Sequence, residues 1–586
     1  MPRFVVPAAF ALVAALSAQT AFFPLKDVRP GMRGVGRTVF SGNQIQEFQV
    51  EILGVLDNIG PKESLILARL SGGPLEHTGV MQGMSGSPVY IGGRLVGAVA
   101  MAFPYAKDPI AGIRPIEEMV YRAGPPAPPS ARPSAALAEK NLFRLLPQPR
   151  PALAGQARMA DIATPVSFGG FSRGTLASFA PQLQALGLEP RQGVTAGAKL
   201  ASGLGNPADL KPGSMISVQL MSGDMSVGAD GTVTYIDGKR IYAFGHRFLA
   251  VGSTALPFAR SEVVTLLPAL NTSFKLSVAK EWMGTMYQDC DTAISGELGT
   301  LAALAPISVT VTRAGRPVDS YQMQMVKDPL LSPLLIQMAV SSAIDATERT
   351  VGSSSIRLTG QIDFQNAPAP VKLDNLFAMD NGAANQASLQ AAVPAAYVMQ
   401  SGFSALELRK VSINLDISDR KKELAIGGVT PSRQEVRPGE TLRLAVSLAG
   451  DDGAEVVRNV DYRVPIGAEP GPLYFTVADA TITNLADFRQ ILGVTPRTAG
   501  QVIATVNGLH PNNKAYVRVW RADPAFQLEG ADLPDPPASV ALILAGTQSS
   551  LAGITQNRNS KIAEMEIDVG EMAVTGSKTI QVEVKE

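Results

Sequence analysis

Residues 79–90 read GVMQGMSGSPVY, a serine between glycines directly before a run of β-prone residues. Gly83 and Gly86 give the backbone access to conformations closed to other residues, so the chain can turn tightly here. Such a turn can direct the N–H groups of Gly83 and Ser85 to one point, where they would stabilise an oxyanion. The pattern predicts an acyl-transfer nucleophile at Ser85. The alternative is an ordinary glycine-rich turn whose serines only cap it.

The regions around this turn consist of short β-prone runs separated by glycine and proline. Gly92-Gly93 divides residues 88–100 into two such runs, which predicts a hairpin with a two-residue turn. The 55 Gly and 43 Pro among 586 residues favour many turns between short strands. One helix is predicted at 332–346, where Ser332 can cap and Pro333 fits the first turn. We therefore expect a mainly β protein with several domains.

Changes in composition divide the sequence into five parts. Prolines concentrate between residues 124 and 151, which is typical of an extended linker. Alternation of apolar and polar residues from residue 411 onward, with Pro-Gly turns, predicts an immunoglobulin-like β-sandwich. The expected parts are a signal peptide at 1–21, a β-rich serine-motif part at 22–123, a Pro-rich linker at 124–160, a second β-rich part with a helical extension at 161–363, and the sandwich region at 364–586.

The N-terminus has the three regions of a secretory signal. Arg3 precedes an apolar run at 4–16, and small residues follow at 17, 18 and 21. An uncleaved membrane anchor is the alternative, but the run is shorter than the roughly 20 residues that span a bilayer. We expect export to the periplasm or the extracellular space, with no integral membrane segment after the signal is removed.

Charge and cysteine content argue against several classes of function. Lys and Arg together number 51, as do Asp and Glu, so the formal net charge of zero offers no general attraction for a polyanion. The single cysteine, Cys290, excludes an internal disulfide, and three histidines far apart in sequence argue against a Cys/His zinc cluster. We expect no nucleic-acid partner, no metal and no cofactor.

His246 is the main candidate for a general base. It follows the β-prone run 240–244 and a glycine, which places it at a strand end with room beside it. An imidazole, with an ordinary pKa of about 6.5, can take a proton from a serine hydroxyl there. The alternative is a histidine that is hydrogen-bonded for structural reasons. His77 is a second candidate base, although Thr78 and Gly79 make its segment resemble an exposed loop.

Two regions resemble the stage IV sporulation protein B (SpoIVB) type of serine peptidase domain. The first is QGMSGSP at 82–88, with GGRLVGA at 92–98 and GIRPIEEM at 112–119. The second is GTVTY at 231–235 with IYAFGH at 241–246, followed by a weaker similarity at 284–296. The resemblance implies a trypsin-like double β-barrel, with Ser85 as nucleophile, His246 as general base and a protein or peptide as substrate.

The sequence departs from the family in two respects. The family's histidine precedes its serine, whereas His246 follows Ser85, so the two barrels would be exchanged in chain order. The position that matches the family's acid is Leu70, which cannot orient an imidazole. A Ser-His dyad without an acid is one alternative. Otherwise the candidate acids are the carboxylates of predicted turns: Asp237, Asp289 and Asp291.

These patterns lead to two hypotheses of different class. The first is an exported serine endopeptidase that cleaves peptide bonds through a Ser-His acyl-enzyme mechanism, with the C-terminal sandwich positioning substrate or binding a partner protein. The second is a non-catalytic β-rich scaffold or surface-binding protein that retains a degenerate peptidase barrel. The intact serine turn and the histidine motif favour the first hypothesis. The missing acid and the exchanged order favour the second.

Overall fold

The computed structural model is mainly β, with 52% strand and 18% helix, as the composition predicted. The predicted signal peptide at 1–21 and the predicted linker at 124–160, apart from its last residue, lie outside the described residues. Within the described part of the chain, no helix has the length and apolarity needed to cross a membrane. The structure describes residues 22–103, 106–122, 160–193, 200, 203–270, 272–347, 352–451, 453–491, 496, 498–523, 525–528, 531–533, 536–546, 554–557 and 559–586.

The first six strands close into a barrel. In chain order they are β1 (Arg33–Ser41), β2 (Gln44–Gly60), β3 (Glu63–Ser71), β4 (Pro88–Ile91), β5 (Arg94–Ala102) and β6 (Ile110–Pro115), with the short helices α1 (Leu75–Thr78) and α2 (Ile116–Arg122). The ring runs β1-β2-β3-β6-β5-β4, and β4 pairs with β1 to close it. Strands β4 and β5 are the predicted hairpin, and Gly92 and Gly93 between them both have positive φ, as a two-residue turn requires.

The segment of chain between the two barrels adds strands to both of their sheets. It contains β7 (Ala160–Asp161), β8 (Thr164–Gly169), α3 (Arg173–Ala185) and β9 (Leu188–Gln192). Helix α3 begins after Ser172, whose hydroxyl accepts a hydrogen bond from the Thr175 N–H at 3.0 Å. Strand β7 pairs with β5 of the first barrel, so Asp161 lies at the edge of that barrel.

Six further strands close into a second barrel. They are β10 (Met215–Gly223), β11 (Ser226–Asp237), β12 (Arg240–Ala243), β13 (Gly252–Leu267), β14 (Phe274–Cys290) and β15 (Ala293–Leu298). The ring runs β10-β13-β14-β15-β12-β11, and β11 pairs with β10 to close it. Two six-stranded barrels confirm the predicted double β-barrel. Because the barrel with the serine motif comes first, the two stand in exchanged order.

The hairpin of β13 and β14 extends beyond the second barrel and reaches the first. We call its end, residues 263–275 apart from residue 271, the arm. Val263 forms a β-bridge with Gly42, and Phe274 forms one with Gln82. Val263 and Leu266 also pack against Val39 of β1. The arm therefore joins the barrels beside the serine motif.

The second barrel belongs to a 13-stranded sheet. The other strands include β16 (Ala305–Arg313), β17 (Asp319–Met325), β18 (Ser354–Phe364), β19 (Val371–Met379) and β20 (Leu408–Ser418), and helices α4 (Leu331–Thr347) and α5 (Ala383–Met399) contribute to the same core. Helix α4 matches the prediction at 332–346, but its cap is Asp328, whose Oδ1 accepts from two N–H groups, and not Ser332. Since β20 pairs with β16 and β18, this sheet continues beyond residue 364, where the sequence placed the start of the sandwich region.

The C-terminal part forms a two-sheet sandwich, as predicted. One sheet has the order β24-β23-β21-β31 and the other β22-β32-β25-β26-β30, and they share one apolar core. The strands of the two sheets are β21 (Glu423–Pro431), β22 (Glu435–Val436), β23 (Thr441–Gly450), β24 (Glu455–Arg463), β25 (Gly471–Ala478), β26 (Lys514–Arg521), β30 (Ser560–Asp568), β31 (Ala573–Thr575) and β32 (Ser577–Val584). A separate three-stranded sheet has the order β28-β27-β29 and consists of β27 (Ala525–Leu528), β28 (Ala531–Leu533) and β29 (Ile554–Asn557). The helices of this part of the chain are α6 (Ala480–Ile491), α7 (Ala499–Asn507) and α8 (Ala538–Gly546).

Candidate active site

The serine turn, residues 79–87, lies between the two barrels, and two glycines shape it. Gly83 and Gly86 have φ values of 90° and 92°, a region that other residues seldom adopt. A Cβ on Gly86 would lie 2.0 Å from the carbonyl oxygen of Thr232 and 2.6 Å from the backbone nitrogen of Phe244. Glycine at position 86 therefore allows the turn to contact the backbone of the second barrel directly.

Strand β11 of the second barrel holds the turn through two threonines. The Thr232 N–H donates to the Ser85 carbonyl oxygen at 2.9 Å, and Thr232 Oγ1 donates to the Gly83 carbonyl oxygen at 2.8 Å. Thr234 Oγ1 donates to the Gly86 carbonyl oxygen at 2.7 Å. Both threonines are fully buried. Both belong to GTVTY at 231–235. Their spacing of two, which puts both on one strand face, was the available sequence signal for this role.

The amides of the turn divide into those that are used and those that are not. The N–H groups of Met84, Gly86 and Ser87 donate to backbone carbonyl oxygens at 2.8 to 3.1 Å. Within the described part of the chain, the N–H groups of Gly83 and Ser85 donate to no group. These are the two amides expected to form an oxyanion hole.

The serine turn and the segment that leads to the histidine meet at one junction between the barrels. Gly86 contacts the backbone at Phe244, two residues before His246. Ser85 is 0% exposed and His246 is 1% exposed. Neither Ser85 Oγ nor His246 Nε2 has a hydrogen-bond partner among the described residues, so no hydrogen bond joins the two. Two buried polar atoms of complementary chemistry are thus unsatisfied at this junction.

The imidazole of His246 is oriented by the main chain. Its Nδ1 lies 2.7 Å from the carbonyl oxygen of Arg247. A carbonyl oxygen can only accept, so Nδ1 carries the proton, and in the neutral ring the lone pair is at Nε2. A general base needs this tautomer. In a catalytic triad, a carboxylate holds the Nδ1 proton; here the Arg247 carbonyl does so.

The surroundings of His246 favour its neutral form. Burial lowers the pKa of His246 below its usual value, and the charge of Asp161 opposes this by raising it. The charges of Arg114 and Arg247 lower the pKa further. The imidazole is therefore in the proton-accepting state at neutral pH. Asp161 carries no local sequence signal of this role, because only the pairing of β7 with β5 brings it near His246.

Asp289, one of the predicted acids, supports the loop that follows His246. Its carboxylate accepts hydrogen bonds from the N–H groups of Phe248 at 2.8 Å, Leu249 at 2.7 Å and Val251 at 3.2 Å. Burial raises the pKa of Asp289 to about 6, and these hydrogen bonds oppose the rise. Asp289 thus fixes the segment next to the Arg247 carbonyl, without a hydrogen bond to the imidazole.

The remaining candidate acids and the second candidate base form no hydrogen bond with the imidazole of His246 among the described residues. Asp291 Oδ1 lies 3.9 Å from Arg247 Nη1, and Asp237 is exposed at the end of β11. Leu70 is fully buried in the core of the first barrel, so an acid at that position would lack polar surroundings. His77 is exposed in α1. Among the described residues, no carboxylate is hydrogen-bonded to His246.

Replacing Asp289 by Asn is expected to lower the free energy of unfolding by about 1–3 kcal/mol, because the amide NH₂ would face backbone donors and leave one unpaired. Denaturation in urea measures this change. Asp291→Asn, which alters a partly exposed carboxylate on the same hairpin, is the control and should change the free energy by less than about 0.5 kcal/mol. Equal effects of the two substitutions would contradict the loop-supporting role of Asp289.

One group of side chains in the described residues has the spacing of metal ligands: Asp487, His510 and Glu564 in the sandwich. Arg518 Nη2 lies 2.7 Å from Asp487 and 2.6 Å from Glu564, and His510 Nε2 lies 2.6 Å from Glu564. The guanidinium already neutralises these carboxylates, so the group is better suited to joining α6, β26 and β30 than to holding a metal ion.

A cleft of about 860 Å³ separates the barrels on the Gly83 side of the turn. Its walls include Arg37 and Tyr90 of the first barrel and Met215 and Arg260 of the second. Met215 reaches the turn, since its Cε lies 3.2 Å from where a Cβ on Gly83 would be. The cleft has the volume of an ordinary ligand site, but its lining includes neither a residue of the serine turn nor His246.

Comparison with known families confirms the resemblance over the serine-motif part. The family described as SpoIVB peptidase S55 matches residues 20–120, a span that contains β1 to β6 and Ser85. The matched span ends before the second barrel and does not include His246. No curated protein and no solved structure matches the chain.

Proposed function

We propose that this SpoIVB-type peptidase domain, completed by His246 of the second barrel, is a serine endopeptidase acting on proteins or peptides. The observation that carries the proposal is that Ser85 Oγ and His246 Nε2 are both buried and unpartnered, and that the serine turn, with its two unused amides, contacts the backbone two residues before His246. A nucleophile, a base and oxyanion donors that all reach one substrate carbonyl group make an acyl-transfer site.

The proposed reaction uses these groups in order. Ser85 Oγ attacks the scissile carbonyl carbon while His246 Nε2 takes the hydroxyl proton. The N–H groups of Gly83 and Ser85 stabilise the oxyanion. The imidazolium then gives its proton to the leaving amine, and a water molecule, deprotonated by His246 in turn, hydrolyses the acyl-enzyme.

The base would work as a dyad with Ser85, without a hydrogen-bonded acid. The Arg247 carbonyl keeps the proton on Nδ1, and the charge of Asp161 stabilises the imidazolium without direct contact. A neutral carbonyl stabilises an imidazolium less than a carboxylate does, so we expect slower turnover than a full triad would give.

The remaining expectations complete the proposal. Export to the periplasm or the extracellular space rests on the signal at 1–21, and the substrate would lie in the cleft between the barrels. As domains we propose the two barrels and the C-terminal sandwich, with the sandwich as the place where a partner protein binds. No step of the proposed reaction calls on a cofactor or a metal.

The enclosure of the site favours the second hypothesis, a non-catalytic scaffold. Ser85 is fully buried, and no hydrogen bond among the described residues links it to His246. In a scaffold, the turn would serve only to join the barrels through Thr232 and Thr234. The two hypotheses differ in whether Ser85 reacts.

Labelling of the purified protein with a small alkyl fluorophosphonate tests the proposal. The probe reacts with serines that an adjacent base activates, and wild-type protein is expected to be labelled. Ser85→Ala should abolish labelling, and His246→Ala should slow it by about 10³-fold or more. His77→Ala, which removes the other candidate base, is the control and should label at the wild-type rate.

Folding of each variant is checked by circular dichroism and thermal unfolding. A folded wild-type protein that resists the probe would contradict the endopeptidase and favour the scaffold. If His77→Ala lost labelling and His246→Ala kept it, the general base would be His77 and the assignment to His246 would be wrong.

A further inference from the structure

Lys275 is a buried lysine beside the serine turn that the proposed reaction does not use. It is the second residue of β14, next to the tip of the arm, and is only 2% exposed. Its Nζ donates to Thr38 Oγ1 of β1 at 2.6 Å. Among the described residues no carboxylate forms an ion pair with it. Buried charges are ordinarily paired, so an unpaired buried lysine calls for a function.

The contacts of Lys275 converge on the serine turn. Thr38 Oγ1, which accepts from Lys275, also accepts from Ser87 Oγ at 3.0 Å. The methylene carbons of Lys275 lie 3.2 and 3.3 Å from where a Cβ on Gly83 would be. Lys275 therefore touches the turn at Gly83, one of the unused amides, and reaches Ser87, at its other end, through Thr38.

The backbone around Lys275 makes the same connection. The Gln82 N–H donates to the Ser273 carbonyl oxygen at 2.9 Å, and the Lys275 N–H donates to the Gln82 carbonyl oxygen at 3.2 Å. Ser273 Oγ donates to the Thr78 carbonyl oxygen at 2.7 Å. The arm is thus hydrogen-bonded along the turn and delivers the Lys275 side chain beneath it.

We propose that Lys275 is a positioning residue for the serine turn, and that it holds the turn, through Thr38 and Ser87, as a neutral amine. This inference rests on the proposed function, because the groups it positions are the Gly83 and Ser85 amides. A neutral amine fits the surroundings, since the described side chains whose contacts with Lys275 Nζ are shown, Thr38 and Phe40, carry no negative charge.

The ionisation of Lys275 agrees with this geometry. Burial alone lowers the pKa of Lys275 to about 7. Below about pH 7 the buried amine carries an uncompensated charge, and above it the charge is lost. Because the unfolded chain keeps the proton up to about pH 10.4, the stability of the folded state rises as the pH increases from about 7 toward 10.

Two measurements on Lys275→Met test the proposal. Methionine keeps the packing on Gly83 but cannot bond to Thr38. In wild-type protein, the unfolding equilibrium constant should fall by up to about tenfold per pH unit between pH 7 and 9 through Lys275, and Lys275→Met should lack that fall. The rate at which the fluorophosphonate labels wild-type protein should increase with pH around pH 7, as Lys275 loses its proton. Lys275→Met should not show this increase, and its labelling rate at pH 8.5 should be about tenfold lower than that of wild type.

Three further variants sharpen the result. Thr38→Val, which removes the shared hydroxyl, should also lack the increase near pH 7, whereas Lys275→Arg, which stays charged, should label poorly at every pH. Lys280→Met, on the same strand but exposed and paired with Glu262, is the matched control and should behave as wild type.

The two readouts separate this inference from the proposed function. If wild-type protein never labels, the endopeptidase fails, yet the pH dependence of stability still decides whether Lys275 is neutral when buried. Lys275→Met and wild type with the same pH dependence of stability would overturn the neutral amine. Equal labelling profiles would overturn the positioning role.

Discussion

Replacing Gly86 by alanine is expected to destabilise the protein by more than about 4 kcal/mol and to abolish labelling at Ser85. A Cβ at this position would lie 2.0 Å from the Thr232 carbonyl oxygen, which belongs to the backbone and cannot rotate away. The φ of 92° adds a conformational cost of about 1–2 kcal/mol. The turn would have to leave β11, and the hydrogen bonds from Thr232 and Thr234 would break.

Gly93→Ala is the matched control for this prediction. Gly93 also has positive φ, 78°, but nothing lies within 4 Å of where its Cβ would be. Gly93→Ala should lower the free energy of unfolding by only about 1–2 kcal/mol, because alanine is strained at positive φ, and should leave labelling at Ser85 unchanged. Urea denaturation and probe labelling measure both variants. A similar loss of stability in the two would show that contact between the turn and β11 contributes little.

The labelling rate is expected to fall about tenfold for each pH unit below the pKa of His246, because only the neutral imidazole accepts the serine proton. Burial lowers this pKa, so the midpoint should lie below the ordinary value of about 6.5. The charge of Asp161 raises the pKa. Asp161→Asn should therefore move the midpoint to still lower pH and increase labelling under acidic conditions.

The profile is best recorded in the Lys275→Met background, which removes the increase expected near pH 7. Asp237→Asn is the control, since Asp237 is exposed at the end of β11 and does not contribute to the pKa of His246. A midpoint above 6.5, or one that Asp161→Asn leaves in place, would contradict the electrostatic description of the site.

The local chemistry of the serine turn could be predicted because it depends on neighbours in sequence. A glycine with positive φ, a hairpin with Gly92-Gly93 and a strand that begins at Pro88 are properties of short stretches of chain. Helix α4 was predictable for the same reason. Its cap was assigned wrongly because Ser332 donates its hydroxyl to the Val326 carbonyl oxygen, which leaves Asp328 to cap the helix.

The sequence pattern did not predict the elements whose position depends on tertiary packing. Helix α5, Ala383–Met399, was not predicted, and its buried small residues pack on the large sheet. The strand at 408–418 has the alternation of a sandwich strand, yet it pairs with β16 and β18. Alternation indicates a strand with one buried face but does not say which sheet the strand joins.

The sequence by itself determined the mainly β class, the serine turn and the two residues proposed as nucleophile and base. Only the tertiary structure decided what surrounds them: the Arg247 carbonyl on His246, the charge of Asp161 nearby, the threonines of β11 on the turn and Lys275 beneath it. The reason is physical. A turn is fixed by the torsional preferences of adjacent residues, whereas hydrogen bonds and pKa shifts depend on groups that only folding brings within a few ångströms of each other.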